Sequence, residues 1–322
     1  MAEKIEFVQK PKPGEPWDVA IIGSGPAALT AAIYTTRGAA STLILGGDTW
    51  GGQLMLTTTV DNYPGFPDGI QGPELMQKMR DQTERFGAEF VQKNVESVDF
   101  TKDPHELIAG GVIHTAKAVI IATGAMDKWL GVPGEKELTG RGVSTCAPCD
   151  APFFKAKKVA VVGGGDSAMT EALVLTKYAT DVYIIHRRDK FRASAAMQKK
   201  VFNNSKIKAF WNTEVAEIVG TNKVEKLRLK NNKDNSEKDL EVDGIFLAIG
   251  HKPDSELFKG PIEMDDRGYI KVFDHTKTNL NGVFVAGEVH DDKYKQAITT
   301  AGYGCMAGMD VLRYLDKDTP TW

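Results

Sequence analysis

At 322 residues the chain is long enough for two domains. Its apolar fraction of 42% and its 32 glycines describe a loop-rich α/β protein and exclude a disordered or fibrous one. A net charge of -3, from 40 basic and 43 acidic residues, gives no case for nucleic acid as a partner.

The N-terminal stretch MAEKIEFVQKPKPGEPWD lacks the apolar block of a secretory signal, and Glu3 and Glu6 argue against an import peptide. The longest uncharged run, from Val19 through Thr36, contains Gly23, Ser24, Gly25 and Pro26 and is too polar for a bilayer core. No membrane partner and a cytoplasmic location are expected.

The run from Trp17 to Ile22 reads as a buried parallel strand. Gly23, Ser24, Gly25, Pro26, Ala27 and Ala28 follow at once, then a helical stretch ending at Gly38 and a second strand from Ser41 to Leu45. This is the G-x-G-x-x-G/A fingerprint of a dinucleotide site in its required strand–helix–strand context. The segment from Gly72 reads as an amphipathic helix with Leu75, Met79 and Phe86 on its buried side. Strand-like alternation follows through Val91, Val95 and Val98, and then Ala118 to Gly124.

The same grammar returns from Lys158. A strand to Val162 precedes Gly163, Gly164, Gly165, Asp166, Ser167 and Ala168, a helix follows, and Asp181 to His186 closes the unit. In each fingerprint the first glycine permits a tight turn and the second lets the backbone approach a pyrophosphate. The small third residue, Ala28 or Ala168, allows helix-on-strand packing. Amides at the helix N-terminus then meet the diphosphate charge.

Strand-and-glycine ends recur at Gly244 to Gly250 and at Gly282 to Gly287, before a Gly-interrupted helical segment from Gln296. The economical fold is α/β, with two Rossmann-like, three-layer nucleotide-binding domains. The second is inserted into a discontinuous first: residues 1–123 and 252–322 make one domain and 124–251 the other. The dipeptides Val132-Pro133 and Lys252-Pro253 read as crossing points. The polar run from Leu229 to Asp239 reads as a solvent-facing hairpin tip.

The nucleotides differ. After the second unit's closing strand stand His186, Arg187, Arg188 and, four residues beyond Arg188, Arg192. Guanidinium forks match phosphate oxygens, so this cluster favours the 2′-phosphate of NADPH over NAD. The first unit ends in Leu45-Gly46-Gly47 with no acid at the ribose position, Asp48 being the nearest candidate.

Three cysteines are present, and Cys146 and Cys149 form a C-x-x-C whose second cysteine lies 14 residues before Gly163. That spacing suits a reactive pair at a helix start, with Asp150 adjacent to shuttle a proton. A structural zinc site needs about four ligands and this motif supplies two; an inert buried pair is the other alternative. Cys305 reads as a packed core thiol. Since hydride cannot pass simply to a disulfide, the first nucleotide is expected to be a flavin. The disulfide acceptor stays open on these grounds, and so does a binding-only redox sensor.

Taken together, CAPCD, VAVVGGGDSA, IIHRRDKFRA, GGQLMLTTTVDNYPGFPDG, IIATGA, AIGHKPD and GVFVAGEVHDDKYKQAITTAGYGC resemble the low-molecular-weight thioredoxin reductases from about Asp18 to Leu315. The resemblance implies a homodimer that carries electrons from NADPH through FAD to a thioredoxin disulfide. It implies FAD contacts at Gly23, Ser24, Gly25, Pro26, Ala27, Gly52, Gln53, Leu54, Asn62, Thr123, Gly124, Gly250, Gly287, Glu288, Lys295, Gln296 and Ala297. NADPH would lie on Gly163, Gly165, Asp166, Ser167 and Ala168, with its 2′-phosphate near His186, Arg187, Arg188 and Arg192. It further implies that Cys149 faces the flavin, Cys146 attacks thioredoxin and Asp150 is the acid/base. The chain departs from the family's pattern at Glu288, at Lys295 and at Ala151-Pro152.

Overall fold

A computed structural model describes residues 10–57 and 59–316. The chain divides into two compact units. One takes the chain up to Met126 together with the chain from Lys252 on; the other is Asp127–His251.

In the first unit, β1 (Trp17–Ile22), α1 (Pro26–Arg37) and β2 (Thr42–Leu45) form the expected βαβ element, with Gly38 capping the helix. A 3-10 turn at Gly52–Leu56 and a short ladder of β3 (Thr59–Val60) and β4 (Ile70–Gln71) lead into α2 (Gly72–Arg85). That helix buries Leu75, Met76, Met79 and Thr83. Phe86 lies just past its end, half-buried between the guanidinium groups of Arg37 and Arg85, and is not part of the buried stripe.

Strands β5 (Glu89–Val91), β6 (Val95–Asp99), β7 (His105–Ala109) and β8 (Val112–Ile121) complete the N-terminal part. The first half of β8 pairs antiparallel with β7, and its second half lies parallel to β1. An antiparallel meander thus grows from one edge of a parallel sheet. The crossings to and from the second unit, β9 (Ala125–Asp127) and β18 (His251–Pro253), pair with each other.

The second unit begins with β10 (Val143–Ser144) and α3 (Ala147–Asp150). A second βαβ element follows: β11 (Lys158–Val162), α4 (Asp166–Leu175) and β12 (Asp181–Ile185). Helix α5 (Ala195–Phe202) and β13 (Ile207–Phe210) extend it. An antiparallel sheet of β14 (Thr213–Val219), β15 (Lys226–Asn231) and β16 (Glu237–Glu241) comes next, then β17 (Gly244–Leu247). The parallel sheet has the order β10-β17-β11-β12-β13. The polar run from Leu229 is indeed a hairpin, but only its middle forms the tip; its ends lie within β15 and β16.

Back in the first unit, β19 (Val283–Val285) pairs with β8, and α6 (Ala297–Leu315) packs along α1. Glycines 304 and 308 of α6 make that approach possible, because a Cβ at either would collide with the α1 backbone at Ala27 or Ala31.

Strand alternation builds three layers in each unit. In the first, Val19, Ile21, Ala118 and Ile120 face the helices, while Ala20, Ile22, Val119 and Ile121 face Phe100, Leu107, Phe258 and Ile270. In the second, Val159, Val161, Val182 and Ile184 cover α4, while Ala160, Val162, Ile245 and Leu247 cover Val215, Ile218, Leu227 and Leu229 of the antiparallel sheet.

Two expectations are corrected here. Val132-Pro133 is not a crossing: it lies inside the second unit, where the Pro133 carbonyl accepts from Ile218 N–H at 2.9 Å. Cys305 is half-buried on α6, beside Met309, and not a core thiol. Asp48, the nearest acid to the first ribose, is exposed, and Asn94 donates to its carboxylate at 2.7 Å.

Candidate active site

The first glycine loop caps the C-terminal end of β1. Gly23 has φ +121°, and a Cβ there would overlap the Ala122 carbonyl at the end of β8, so only glycine turns the chain this tightly. Gly25 is the opposite case: a Cβ there would meet nothing within 4 Å. It N-caps α1 without a side-chain hydrogen bond, so no cap side chain takes up the first-turn amides. Gly52 abuts Gly25, and Gly287 abuts Ala27 and Thr300. The Thr300 hydroxyl is buried with no hydrogen-bond partner among the described residues. An open floor of backbone amides beside an unsatisfied hydroxyl fits a dinucleotide diphosphate. Filling that floor tests the fit. Gly25→Val is expected to fold, yet to retain less than about a tenth of its flavin, read as absorbance of the purified protein.

Several other residues expected at this site act as supports. The Ser24 hydroxyl donates to the Gly46 carbonyl at 2.5 Å and accepts from Gly51 N–H at 3.0 Å, leaving only its backbone to meet a ligand. The Thr123 hydroxyl donates to the Asp254 carbonyl, and Asp254 N–H donates to the Gly124 carbonyl at 3.0 Å. Gln53 donates through its amide to the Ala125 carbonyl, and Leu54 packs onto the core. Asn62 donates to Gln296 Oε1 at 3.1 Å, and Gln296 and Thr299 form a capping box at the start of α6, ahead of Ala297. Lys295 sits at φ +50°.

Sequence reasoning missed what holds that loop. The buried Asp291 carboxylate accepts from the N–H groups of Lys293 (2.9 Å), Tyr294 (2.9 Å) and Lys295 (3.1 Å). An acid followed by amides two and three residues on is an Asx-turn signal, legible in DDKYK.

In the second unit Gly163, at φ +152°, fits against the Ala248 carbonyl and the Ala168 methyl, while Gly165 opens onto free space and N-caps α4. Ser167 is exposed in the first turn. Asp166 is a strut: its carboxylate accepts from Ser194 N–H (3.0 Å) and hydroxyl (2.8 Å), bonds that hold it below the usual carboxylate range. Arg192 and Ala193 N–H both donate to the Gly164 carbonyl, at 2.7 and 3.1 Å. The end of the basic segment, Arg192 to Ser194, is therefore stitched to the glycine loop and the start of α4.

His186 makes that stitch possible. Its ring is buried against Gly164, packs on Phe191 and Trp211 and bonds the Lys190 carbonyl at 3.0 Å; burial holds its pKa below the usual histidine value. It shapes the loop from beneath and does not face solvent. Arg187, Arg188 and Arg192 are exposed, and none forms an ion pair among the described residues. Three unpaired guanidinium groups on a loop tied to an open helix N-terminus suit a phosphate monoester.

Cys146 and Cys149 form a disulfide, with Cα atoms 5.3 Å apart, directly beyond β10 at the edge of the second unit's parallel sheet. Both cysteines are half-buried. Ala147 between them and Ala151 after them are fully packed into the core, which anchors the short helix. Cys146 N–H donates to the Ser144 hydroxyl at 3.1 Å. Burial pushes the Asp150 carboxyl above the usual range, partly offset by a hydrogen bond with Ser144. An acid that keeps its proton to higher pH beside a disulfide is suited to protonating a departing thiolate.

Two glycine-loop nucleotide sites and a C-x-x-C disulfide define a flavin-linked disulfide oxidoreductase, and residues 17–304 match the pyridine nucleotide-disulphide oxidoreductase family. The thioredoxin reductase of Streptomyces clavuligerus is 52% identical over 301 residues, covering 92% of this chain and 94% of its own. That of Mycolicibacterium smegmatis is 51% identical over 299 residues, covering 92% and 96%. Among solved structures, thioredoxin reductase from Giardia duodenalis has a TM-score of 0.89 at 42% identity, over 94% of this chain and 99% of that one. The chain belongs to the low-molecular-weight thioredoxin reductases of that family.

Proposed function

We propose that this protein reduces the disulfide of a thioredoxin with electrons from NADPH, through FAD and the Cys146–Cys149 pair. The observation that carries the reading is the half-buried disulfide beside an acid of raised pKa, in the unit that also bears the second glycine loop and three exposed arginines. FAD, when bound, supplies the conversion of a two-electron hydride donor into thiol–disulfide exchange. The open floor at Gly25, Gly52 and Gly287 would hold its diphosphate. Gln53, Leu54, Asn62, Thr123, Gly124, Glu288, Lys295, Gln296 and Ala297 would surround the rest. Gly163, Gly165, Ser167 and Ala168 would hold the NADPH diphosphate, and Arg187, Arg188 and Arg192 its 2′-phosphate.

The exchange itself uses the chain's own sulfurs. The Cys146 thiolate attacks one sulfur of the partner disulfide, forming a mixed disulfide and releasing the other sulfur as thiolate. Cys149 then attacks Cys146 Sγ, re-forming the internal bond and releasing the second partner sulfur. The two protons of the dithiol end on the partner's thiols, and Asp150 carries one of them.

A protonated Asp150 is abundant below its raised pKa and is lost as pH rises through it. Asp150→Asn is therefore expected to lower thioredoxin-dependent turnover about 10²-fold and to flatten the alkaline limb of the pH profile. A profile identical to the parent's would remove Asp150 from the reaction.

A homodimer and a cytoplasmic location belong to the same reading through the family. Among the described residues no helix is long and apolar enough to cross a membrane.

A further inference from the structure

Asp127 and His251 are the first and last residues of the inserted unit, and a single carboxylate ties both ends to the redox loop. His251 Nε2 lies 2.7 Å from Asp127 Oδ1, with side-chain exposures of only 21% and 10%. Lys128 N–H donates to the Gly250 carbonyl at 3.0 Å, fastening the same two strands through the backbone. The other carboxylate oxygen, Asp127 Oδ2, accepts from the Thr145 hydroxyl at 2.8 Å.

Thr145 is the residue before Cys146. It forms a bend between Ser144, the last residue of β10, and Cys146, whose own backbone is extended. Ser144 bonds Asp150 and receives Cys146 N–H, while Thr145 reaches Asp127. The peptide that carries Cys146 is thus held through each of the two residues before it. One grip is local, within the segment from Ser144 to Asp150; the other runs to the ends of the unit.

We infer that Asp127 is a positioning residue for Cys146, holding the Thr145–Cys146 peptide so that the two sulfurs stay within bonding reach. This rests on the reading of Cys146 and Cys149 as the exchanging pair. A held geometry raises the effective concentration of one thiol near the other, and so favours the disulfide over the dithiol. Losing the grip favours the dithiol.

The test equilibrates the holoenzyme anaerobically in buffers of reduced and oxidised dithiothreitol. The enzyme disulfide takes two electrons and two protons from the reagent's dithiol, which closes its own ring disulfide. Acid quenching, alkylation and mass measurement then count the Cys146–Cys149 dithiol. Thr145→Val and Asp127→Ala are each expected to move the equilibrium about three- to tenfold toward the dithiol, and the double variant no further than either single one. Asp127→Asn keeps an acceptor oxygen for Thr145 and is expected to stay within about twofold of the parent.

Parent-like equilibria in Thr145→Val and Asp127→Ala, with only a lowered melting temperature, would make Asp127 a brace and overturn the inference. Additive effects in the double variant would overturn it too. A parent protein whose disulfide does not respond to dithiothreitol at all would instead sink the exchange-pair reading, and this inference with it.

Discussion

Cys146→Ser and Cys149→Ser are each expected to lower thioredoxin-dependent NADPH oxidation by about 10³-fold or more, because each removes a sulfur that must form and break a bond in every turnover. Serine is close in size to cysteine and both positions are half-buried, so neither variant should unfold the short helix, whose anchors are Ala147 and Ala151. The two should differ in what they trap. With Cys146 intact and Cys149 replaced, the mixed disulfide has no resolving thiol and should persist as a partner adduct in nonreducing mass measurements. Cys146→Ser should form none. The reverse pattern would exchange the two roles, and undiminished turnover in both would rule out the relay.

The second large effect is in coenzyme choice. Arg187 and Arg188 are exposed and unpaired among the described residues, so little internal structure depends on their charge. Each charge-assisted bond to a phosphate is worth about 1.5–3 kcal/mol. Arg187→Ala with Arg188→Ala is thus expected to raise the KM for NADPH about 10²-fold while leaving that for NADH within about threefold. Steady-state kinetics with both coenzymes decides it. Equal losses would mean the guanidinium groups do not meet a 2′-phosphate.

The parts of this molecule that were legible in sequence are those whose constraints are local. Strand β11 runs from Lys158 to Val162 and α1 stops at Gly38, as read, because a buried strand, a glycine turn and a helix end each announce themselves within a few residues. The open positions at Gly25 and Gly165 follow from the same fingerprint. Motif reading could not separate side chains that meet a ligand from those that hold the loop. Ser24, Asp166 and His186 stand in the right places, yet their polar groups are engaged within the protein.

Other features depend on distance. Val132-Pro133 has the composition of a crossing, but a proline marks a turn without saying which unit contains it. Cys305 lies off the core because of helical phase: the buried stripe of α6 runs through Thr300, Gly304, Ala307 and Val311, and position 305 falls beside it. The contact of Asp127 with His251 and Thr145 joins residues far apart in the chain, and no spacing or periodicity encodes it.

Anaerobic addition of NADPH to the purified flavoprotein, followed by acid quench and thiol counting, tests the central claim most directly. One thiol, Cys305, is free beforehand. The account requires that count to rise to three as the Cys146–Cys149 bond opens. A count that stayed at one while NADPH was consumed would contradict it.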